Sequence, residues 1–89
     1  MSKLIVQKYG GSSLSDNTRI MSVAERISQN SILGYQTVVV VSAMGKSTDD
    51  LLSLSVKISD NPSKRELDFL LSTGEMISCA LVTMALNSL

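Results

Sequence analysis

A chain of 89 residues is long enough for one small domain and too short for two. Eight basic and eight acidic residues cancel, and no block of five or more basic residues occurs, so the composition argues against a nucleic-acid or anionic-membrane partner. Histidine is absent and there is a single cysteine, which excludes histidine-based acid–base catalysis, Ser-His and Cys-His triads, and an intrachain disulfide.

The first predicted element is a short, mostly buried strand over residues 3–9, because an apolar run opens it. A polar turn follows, and three of its residues can cap a helix: Ser15, Asp16 and Asn17. A helix is predicted next, since apolar residues repeat at helical spacing: Ile20, Val23, Ala24 and Ile27. This helix should end near Asn30, and Gly34 marks the turn after it.

The second predicted strand is the strongest in the chain, since Thr37 is followed by four consecutive valines. Branched residues without alternation are typical of a strand covered on both faces, as in a parallel sheet. Strand, helix and strand within about 40 residues form a βαβ unit with a right-handed crossover. The pattern therefore predicts a parallel pair of strands with the helix packed on one side.

The segment after the second strand fits two structures. Residues 52–58 alternate between apolar and polar, which indicates a strand. Residues 47–50 are strong helix-start residues, with carboxylates where the helix dipole favours them. We predict a helix that ends before Asn61 and Pro62.

A long final helix is predicted after Ser63, which should form a capping box with Glu66. Its apolar face is expected to comprise Leu67, Leu70, Leu71, Ile77, Leu81, Met84 and Ala85. Gly74 lies in the middle of this pattern, where a glycine often marks a kink or a close approach by another backbone or a ligand. Cys79 lies in the apolar part and is predicted to be a buried thiol.

No apolar run approaches the roughly 20 residues of a membrane span, and the first residues lack the apolar region of a secretion signal. We therefore expect a soluble protein of a reducing, cytoplasmic compartment, with no membrane partner.

Two strands and three helices cannot cover both faces of a valine-rich strand and also surround the last helix. The chain is accordingly expected to be a fragment of a larger α/β domain.

The turn after the first strand is the first candidate site. Lys8 supplies a positive charge, and the adjacent glycines Gly10 and Gly11 allow backbone N–H groups to converge on an anion. Ser12 and Ser13 add hydroxyl donors, and the start of the following helix adds its dipole. This combination is typical of a phosphate-binding turn, although a plain strand-to-helix turn with a surface lysine explains the same residues equally well.

The loop after the second strand, residues 42–48, is the second candidate. Neighbouring parallel strands end at one edge of the sheet, where ligands bind, so the two donor-rich loops should form one site. Gly45-Lys46-Ser47 resembles part of a P-loop, but that motif requires a glycine where Val40 stands. Lys46 is therefore predicted to be a solvent-facing loop lysine.

The third candidate, residues 72–75, places hydroxyls and a carboxylate beside the mid-helix glycine. Glu75 would ordinarily be a solvated helix residue. Its apolar flanks instead indicate that the carboxylate has a partner, either a substrate ammonium group or Lys8.

Together the three segments resemble the aspartokinases, members of the amino acid kinase superfamily. The motifs V-Q-K-Y-G-G-S-S-L, V-V-V-V-S-A-M-G-x-S-T-D-x-L-L and R-E-L-D-x-L-L-S-T-G-E occur in the order and spacing of that family, and the resemblance extends from Leu4 to Leu86. It implies a three-layer αβα, Rossmann-like α/β fold with parallel strands and covering helices. Residues 1–89 would be the N-terminal portion of the catalytic domain, without the family's regulatory ACT domains.

The resemblance also implies an enzyme that uses ATP to phosphorylate the side-chain carboxylate of L-aspartate, giving 4-phospho-L-aspartate. This is the first committed step toward lysine, methionine and threonine. By position, Lys8 would be the catalytic residue that stabilises the transferring phosphoryl group. The phosphate turn would comprise Lys8, Tyr9, Gly10, Gly11 and Ser12.

Three further residues would contact aspartate by the same resemblance. Glu75 would lie near its ammonium group, Thr48 near a carboxylate, and Ser42 beside them. No side chain is expected to ligate a metal, because Mg²⁺ would be held by the ATP phosphates. The full-length enzyme is expected to be a homo-oligomer. The 89 residues alone are not expected to phosphorylate aspartate, since the adenine pocket and further contacts lie elsewhere in the family's chains.

Two alternatives stay open. Glutamate, acetylglutamate and uridylate kinases share the lysine-glycine-glycine start, although S-T-G-E after R-E-L-D favours the aspartate branch. A non-catalytic α/β module that acts by association with other subunits would also carry these elements.

Overall fold

The computed structural model describes residues 3–89. Along the chain lie β1 (Leu4–Tyr9), a 3-10 helix (Gly11–Leu14), α1 (Asn17–Ile32), β2 (Gln36–Val41), α2 (Ser47–Ile58) and α3 (Lys64–Asn87). Every predicted element is present. The helix predicted for the ambiguous segment is confirmed as α2, and α1 continues two residues beyond its expected end at Asn30.

The two strands pair in parallel, which confirms the predicted α/β class, and their register places Val6 opposite Val38 and Tyr9 opposite Val41. Alternate residues point to opposite faces of the sheet. The inner face carries Tyr9, Val39 and Val41, and it packs against α1 and α3. The outer face carries Leu4, Val6, Lys8, Gln36, Val38 and Val40, all of them exposed.

Among the described residues only one face of β2 is covered, as expected for two strands and three helices. Val38 and Val40 remain 48% and 46% exposed, because the helices that contact the sheet lie against its inner face. The chain thus contributes two layers, a sheet and one helical layer. Four consecutive valines suit a strand that is covered on both faces. Among the described residues, helices cover only the inner face of β2.

The core lies between α1, α3 and the inner face of the sheet. The predicted face of α1 is confirmed, since its buried residues are Ile20, Val23, Ala24 and Ile27. Leu14 is completely buried and holds the 3-10 helix against this core. Asp16 caps α1, as its carboxylate accepts a hydrogen bond from the Arg19 backbone N–H at 2.8 Å. Burying each large aliphatic side chain contributes about 1.5–3 kcal/mol.

The buried face of α3 agrees with the predicted one in part, since Ala85 is buried, Leu81 packs against the core, and Leu67, Leu70 and Leu71 are half-buried. Its buried residues are Gly74, Ser78, Val82 and Ala85, whereas Ile77 and Met84 are 55% and 64% exposed. Small residues at spacings of three and four let neighbouring elements approach the helix axis, and the large apolar side chains beside them are left outside. Hydrophobicity alone therefore identified part of the buried face, but it missed Gly74 and Ser78 and included the exposed Ile77 and Met84.

Three further expectations for α3 are corrected. Ser63 is the N-cap, but its hydroxyl donates to the Glu66 carboxylate and does not accept from the helix backbone, so the capping box is not formed. Cys79 is exposed, because its face of α3 has no covering element among residues 3–89. No segment was expected to approach the length of a membrane span, but α3 is long and apolar enough to cross a membrane, judged by length and composition only. The core helix of a soluble protein meets the same two criteria.

Candidate active site

The turn after β1 and the loop after β2 lie together at the carboxyl edge of the sheet, as predicted. The Ser42 backbone N–H donates to the Tyr9 carbonyl at 3.1 Å, which extends the strand pairing by one residue. Further out, the Gly45 N–H donates to the Gly11 carbonyl at 2.9 Å. These two hydrogen bonds join the candidate phosphate turn to the candidate substrate loop.

Gly11 is required by this junction. A Cβ at this position would lie 3.0 Å from the Ala43 carbonyl oxygen and 3.1 Å from the Gly45 carbonyl oxygen. Both are backbone atoms, so neither can move aside as a flexible side chain could. Gly45 has φ 49, in the left-handed region that favours glycine. The second glycine of the pair therefore serves loop packing, a reason that differs from the anion binding assumed from the sequence.

Gly10 differs from its neighbour. Its φ of −80 suits any residue, and a Cβ there would meet no heavy atom within 4 Å in the described chain. The packing of residues 3–89 therefore gives no reason for a glycine at this position. Open space beside a backbone that lacks a side chain is what a closely approaching ligand needs.

Lys8 and Tyr9 point to opposite faces at the end of β1. Lys8 is exposed on the outer face, opposite Val40 in the register, and forms no ion pair within residues 3–89. Tyr9 is buried in the core, and its hydroxyl donates to the Gln7 side chain at 3.1 Å. The side chain of Tyr9 is thus a core residue, and any phosphate contact at Tyr9 would have to come from its backbone.

Ser12 lies in the 3-10 helix with an exposed side chain. Its carbonyl accepts hydrogen bonds from the Arg19 guanidinium at 2.9 Å and from the Ser15 hydroxyl at 3.1 Å. Arg19 also lies 3.8 Å from the Asp16 carboxylate, with both side chains exposed, so that pair stabilises little. The sequence analysis did not predict that Arg19 supports the turn. The pattern that could have indicated it is an arginine, with a long hydrogen-bond donor, three residues after the capping Asp16.

The third motif reaches the same loop through Gly74. A Cβ on Gly74 would lie 3.0 Å from the Ala43 Cβ and 3.6 Å from the Leu51 Cδ1. Another element does approach Gly74 closely, but it does so through side chains and not through a backbone or a ligand as expected. Ala43 is therefore in contact with both Gly11 and Gly74, and it brings the three candidate segments together.

The three predicted aspartate-binding residues are sequence neighbours of residues at this contact, namely Ala43, Ser47 and Gly74. Ser42 is half-buried directly after β2, Thr48 is exposed in the first turn of α2, and Glu75 is exposed beside Gly74. Within residues 3–89 none of their side chains makes a hydrogen bond or an ion pair, so the suggested pairing of Glu75 with Lys8 is not formed. Lys46 is exposed, as predicted.

Two neighbours of Glu75 are engaged elsewhere. The hydroxyls of Ser72 and Thr73 donate to carbonyls of their own helix at 2.7 and 2.6 Å. Their donor capacity is therefore used within α3. Among residues 3–89 no group of three or more acidic or cysteine side chains is arranged to hold a metal ion.

Comparison with known proteins gives a consistent result. The model of the amino acid kinase family matches residues 3–89. An aspartokinase from Mycolicibacterium smegmatis is 58% identical over 86 residues, which are 97% of this chain and 20% of the relative. Aspartokinase 2 from Bacillus subtilis is 55% identical over 84 residues, which are 94% of this chain and 21% of the relative.

A solved structure of an aspartate kinase from Synechocystis superposes with a TM-score of 0.93 at 55% sequence identity. The match covers 96% of this chain and 14% of that one, so the chain spans only a small part of the relatives it matches. The shared fold, the matching family model and the identity over nearly all of its residues show that this chain belongs to the amino acid kinase family.

Proposed function

We propose that this chain carries one part of an aspartate kinase site, which transfers the γ-phosphoryl group of ATP to the side-chain carboxylate of L-aspartate. The joining of the three motifs at Ala43 supports this most directly, because Gly11, the loop after β2 and Gly74 meet there; Lys8 lies near the end of β1, and Glu75 follows Gly74 in sequence. The matched relatives are named aspartokinases, which favours aspartate over the acceptors of other amino acid kinases.

In the proposed reaction a carboxylate oxygen of aspartate attacks the γ-phosphorus, and the bond to the bridging oxygen of ADP breaks. The nucleophile is already an anion, so no side chain has to remove a proton. Such a transfer depends mainly on positioning and on neutralising charge. A site without histidine is therefore suited to it.

The phosphate side would be formed by Lys8 and Gly10. The exposed ammonium group of Lys8 offsets the charge of the transferring phosphoryl group, and the space beside Gly10 lets phosphate oxygens approach its backbone. Mg²⁺ bound to the nucleotide would supply further charge neutralisation.

The substrate side would be formed by Ser42, Thr48 and Glu75. Glu75 is exposed and unpaired within residues 3–89, so its carboxylate is available to the ammonium group of aspartate. Thr48 lies in the first turn of α2, where hydroxyl and backbone donors suit a carboxylate. The product would be 4-phospho-L-aspartate, on the route to lysine, methionine and threonine.

A chimera tests this function. The 89-residue chain replaces the matched segment of the Bacillus subtilis aspartokinase 2, and aspartate-dependent ADP release is measured. We expect activity, with Lys8→Ala lowering kcat at least about 100-fold and Glu75→Ala raising the aspartate KM about 10- to 100-fold. Lys57→Ala is the matched control, because it removes an exposed lysine from the last turn of α2, at the other end of that helix from the candidate loop, and it should change neither constant more than about twofold.

The result that refutes the proposal is a folded chimera that releases no ADP, or Lys8→Ala and Glu75→Ala variants with unchanged kinetics. The isolated 89-residue chain should release no ADP with ATP and aspartate, since it holds a fraction of the relatives' length.

A further inference from the structure

Arg19 lies in the first turn of α1, where the helix itself gives no reason for a cation. The positive end of the helix dipole disfavours a positive charge there, and α1 has no acidic residue in its first turn to offset it. The guanidinium lies 3.8 Å from the Asp16 carboxylate, but both side chains are exposed, so this pair stabilises little. The contact that accounts for Arg19 is its hydrogen bond to the Ser12 carbonyl, in the turn after β1.

This hydrogen bond reaches Gly10 across a single peptide group. The Arg19 guanidinium donates to the Ser12 carbonyl at 2.9 Å. The N–H of the same peptide group, that of Ser13, donates to the Gly10 carbonyl at 3.1 Å. The carbonyl and the N–H of a planar trans peptide group point in opposite directions, so the two hydrogen bonds hold this group from both sides. Hydrogen bonds joined in this way polarise and strengthen one another.

We propose that Arg19 is a positioning residue: through the Ser12–Ser13 peptide group it fixes the backbone of Gly10 at the place where the phosphate oxygens of a nucleotide approach. The inference rests on the proposed function, which assigns the open space beside Gly10 to phosphate. Arg19 acts through this peptide group and not by contact with the nucleotide.

Within residues 3–89 the other donors to this turn are neutral. The Gly11 carbonyl accepts from the Gly45 N–H at 2.9 Å, and the Ser15 hydroxyl donates to the Ser12 carbonyl at 3.1 Å. A hydrogen bond from a charged donor is about twice as strong as one between neutral groups. Loss of the guanidinium would therefore leave the Ser12 carbonyl with its weaker donor, and the peptide group that holds Gly10 could rotate.

Nucleotide binding tests the proposal, in the chimera that carries this chain in place of the matched segment of Bacillus subtilis aspartokinase 2. The Kd for ATP is measured by calorimetric titration without aspartate, and steady-state kinetics are measured with it. We expect Arg19→Ala to raise the ATP Kd and the ATP KM about 10-fold or more, because a misplaced Gly10 no longer suits the phosphate. The aspartate KM should stay within about twofold, since the hydrogen bond that joins Gly11 to Gly45 is kept.

Arg26→Ala is the matched control, because it removes a second exposed arginine of α1 whose side chain makes no hydrogen bond or ion pair within residues 3–89. It should change the ATP Kd no more than about twofold. Arg19→Lys should lie between the original and Arg19→Ala. One guanidinium nitrogen donates to the Ser12 carbonyl, and a lysine ammonium group can supply a single donor from a different position.

A merely structural role for Arg19 predicts a different result in urea unfolding of the 89-residue chain. We expect Arg19→Ala to keep the original midpoint within about 0.5 M, because alanine favours the helix and the substitution removes a cation from its positive end. Weaker ATP binding without a loss of stability is therefore the signature of positioning.

The proposal is overturned if Arg19→Ala and Arg26→Ala change ATP binding equally, or if Arg19→Ala raises both Michaelis constants and lowers the unfolding midpoint as well. A folded chimera that binds no ATP would overturn the positioning role and the proposed function together. A chimera whose ATP binding depends on Arg19, but which releases no ADP with aspartate, would support the positioning role and refute the proposed kinase function.

Discussion

The adjacent glycines of the turn after β1, Gly10 and Gly11, should respond in opposite ways to substitution by alanine. Gly11→Ala places a Cβ 3.0–3.1 Å from two backbone carbonyl oxygens and disturbs the hydrogen bond from Gly45 to Gly11. Overpacking of this kind costs about 1–3 kcal/mol. The reduced freedom of the unfolded chain offsets about 0.4–1 kcal/mol of this. We expect a net loss of about 1–2 kcal/mol in the free energy of unfolding.

Gly10→Ala introduces its Cβ into open space at a φ of −80. Its stability should match the original or exceed it by about 0.4–1 kcal/mol, because only the unfolded chain is affected. In the chimeric enzyme the same Cβ would occupy the space assigned to phosphate oxygens. There Gly10→Ala should raise the KM for ATP or lower kcat by about tenfold or more.

The free energy of unfolding of both glycine variants is measured by urea unfolding of the 89-residue chain, followed by circular dichroism. With a slope near 1 kcal/mol per M for a chain of this size, Gly11→Ala should lower the midpoint by about 1–2 M. The reasoning is refuted if Gly11→Ala unfolds at the original midpoint, or if Gly10→Ala destabilises the chain as much as its neighbour. If the Gly10→Ala chimera showed unaltered ATP kinetics, the proposed contact between Gly10 and phosphate would be wrong.

Three further predictions follow from contacts outside the turn. Gly74→Ala should lower the free energy of unfolding by about 1 kcal/mol, because crowding against Ala43 outweighs the gain of about 1 kcal/mol in helix propensity. Adding Ala43→Gly should recover this loss. A double-mutant cycle that shows no coupling between the two positions would contradict the prediction. Asp16→Ala should cost about 1 kcal/mol through the cap on the Arg19 N–H, measured by urea unfolding, whereas Asp16→Asn should retain most of it. Cys79 should react with a maleimide at the same rate in buffer and in denaturant; strong protection in buffer would show that the thiol is covered.

Local patterns gave the elements of this fold correctly because nearly all of them had a clear period or cap, and the ambiguous segment that became α2 was decided by its helix-start residues. The spacing of Ile20, Val23 and Ile27 identified the buried face of α1, and Asp16 identified its start. The valine run identified β2 and the parallel pairing. The loops at the carboxyl edge then followed from topology, since parallel strands deliver their ends to one edge.

The errors arose where packing depends on size and not on hydrophobicity. On α3 the buried residues Gly74 and Ser78 are small, and one is polar, so an apolar pattern could not find them. The Ser78 hydroxyl donates to the Gly74 carbonyl at 3.3 Å, which is how a buried serine is accommodated in this helix. The role of Gly11 was likewise hidden, because its constraint comes from the backbone of a loop more than 30 residues away.

The hydrogen bond between Gly45 and Gly11 also limits how the loop after β2 can be redesigned. The loop is held by strand pairing at Ser42, by Gly11 at its middle and by the start of α2 at Ser47. An insertion or deletion within it would displace Gly45 and, with it, the carbonyl of the turn. A change in the length of this loop would therefore shift the turn after β1 as well, whereas point substitutions at Ser42 or Thr48 leave the loop length unchanged.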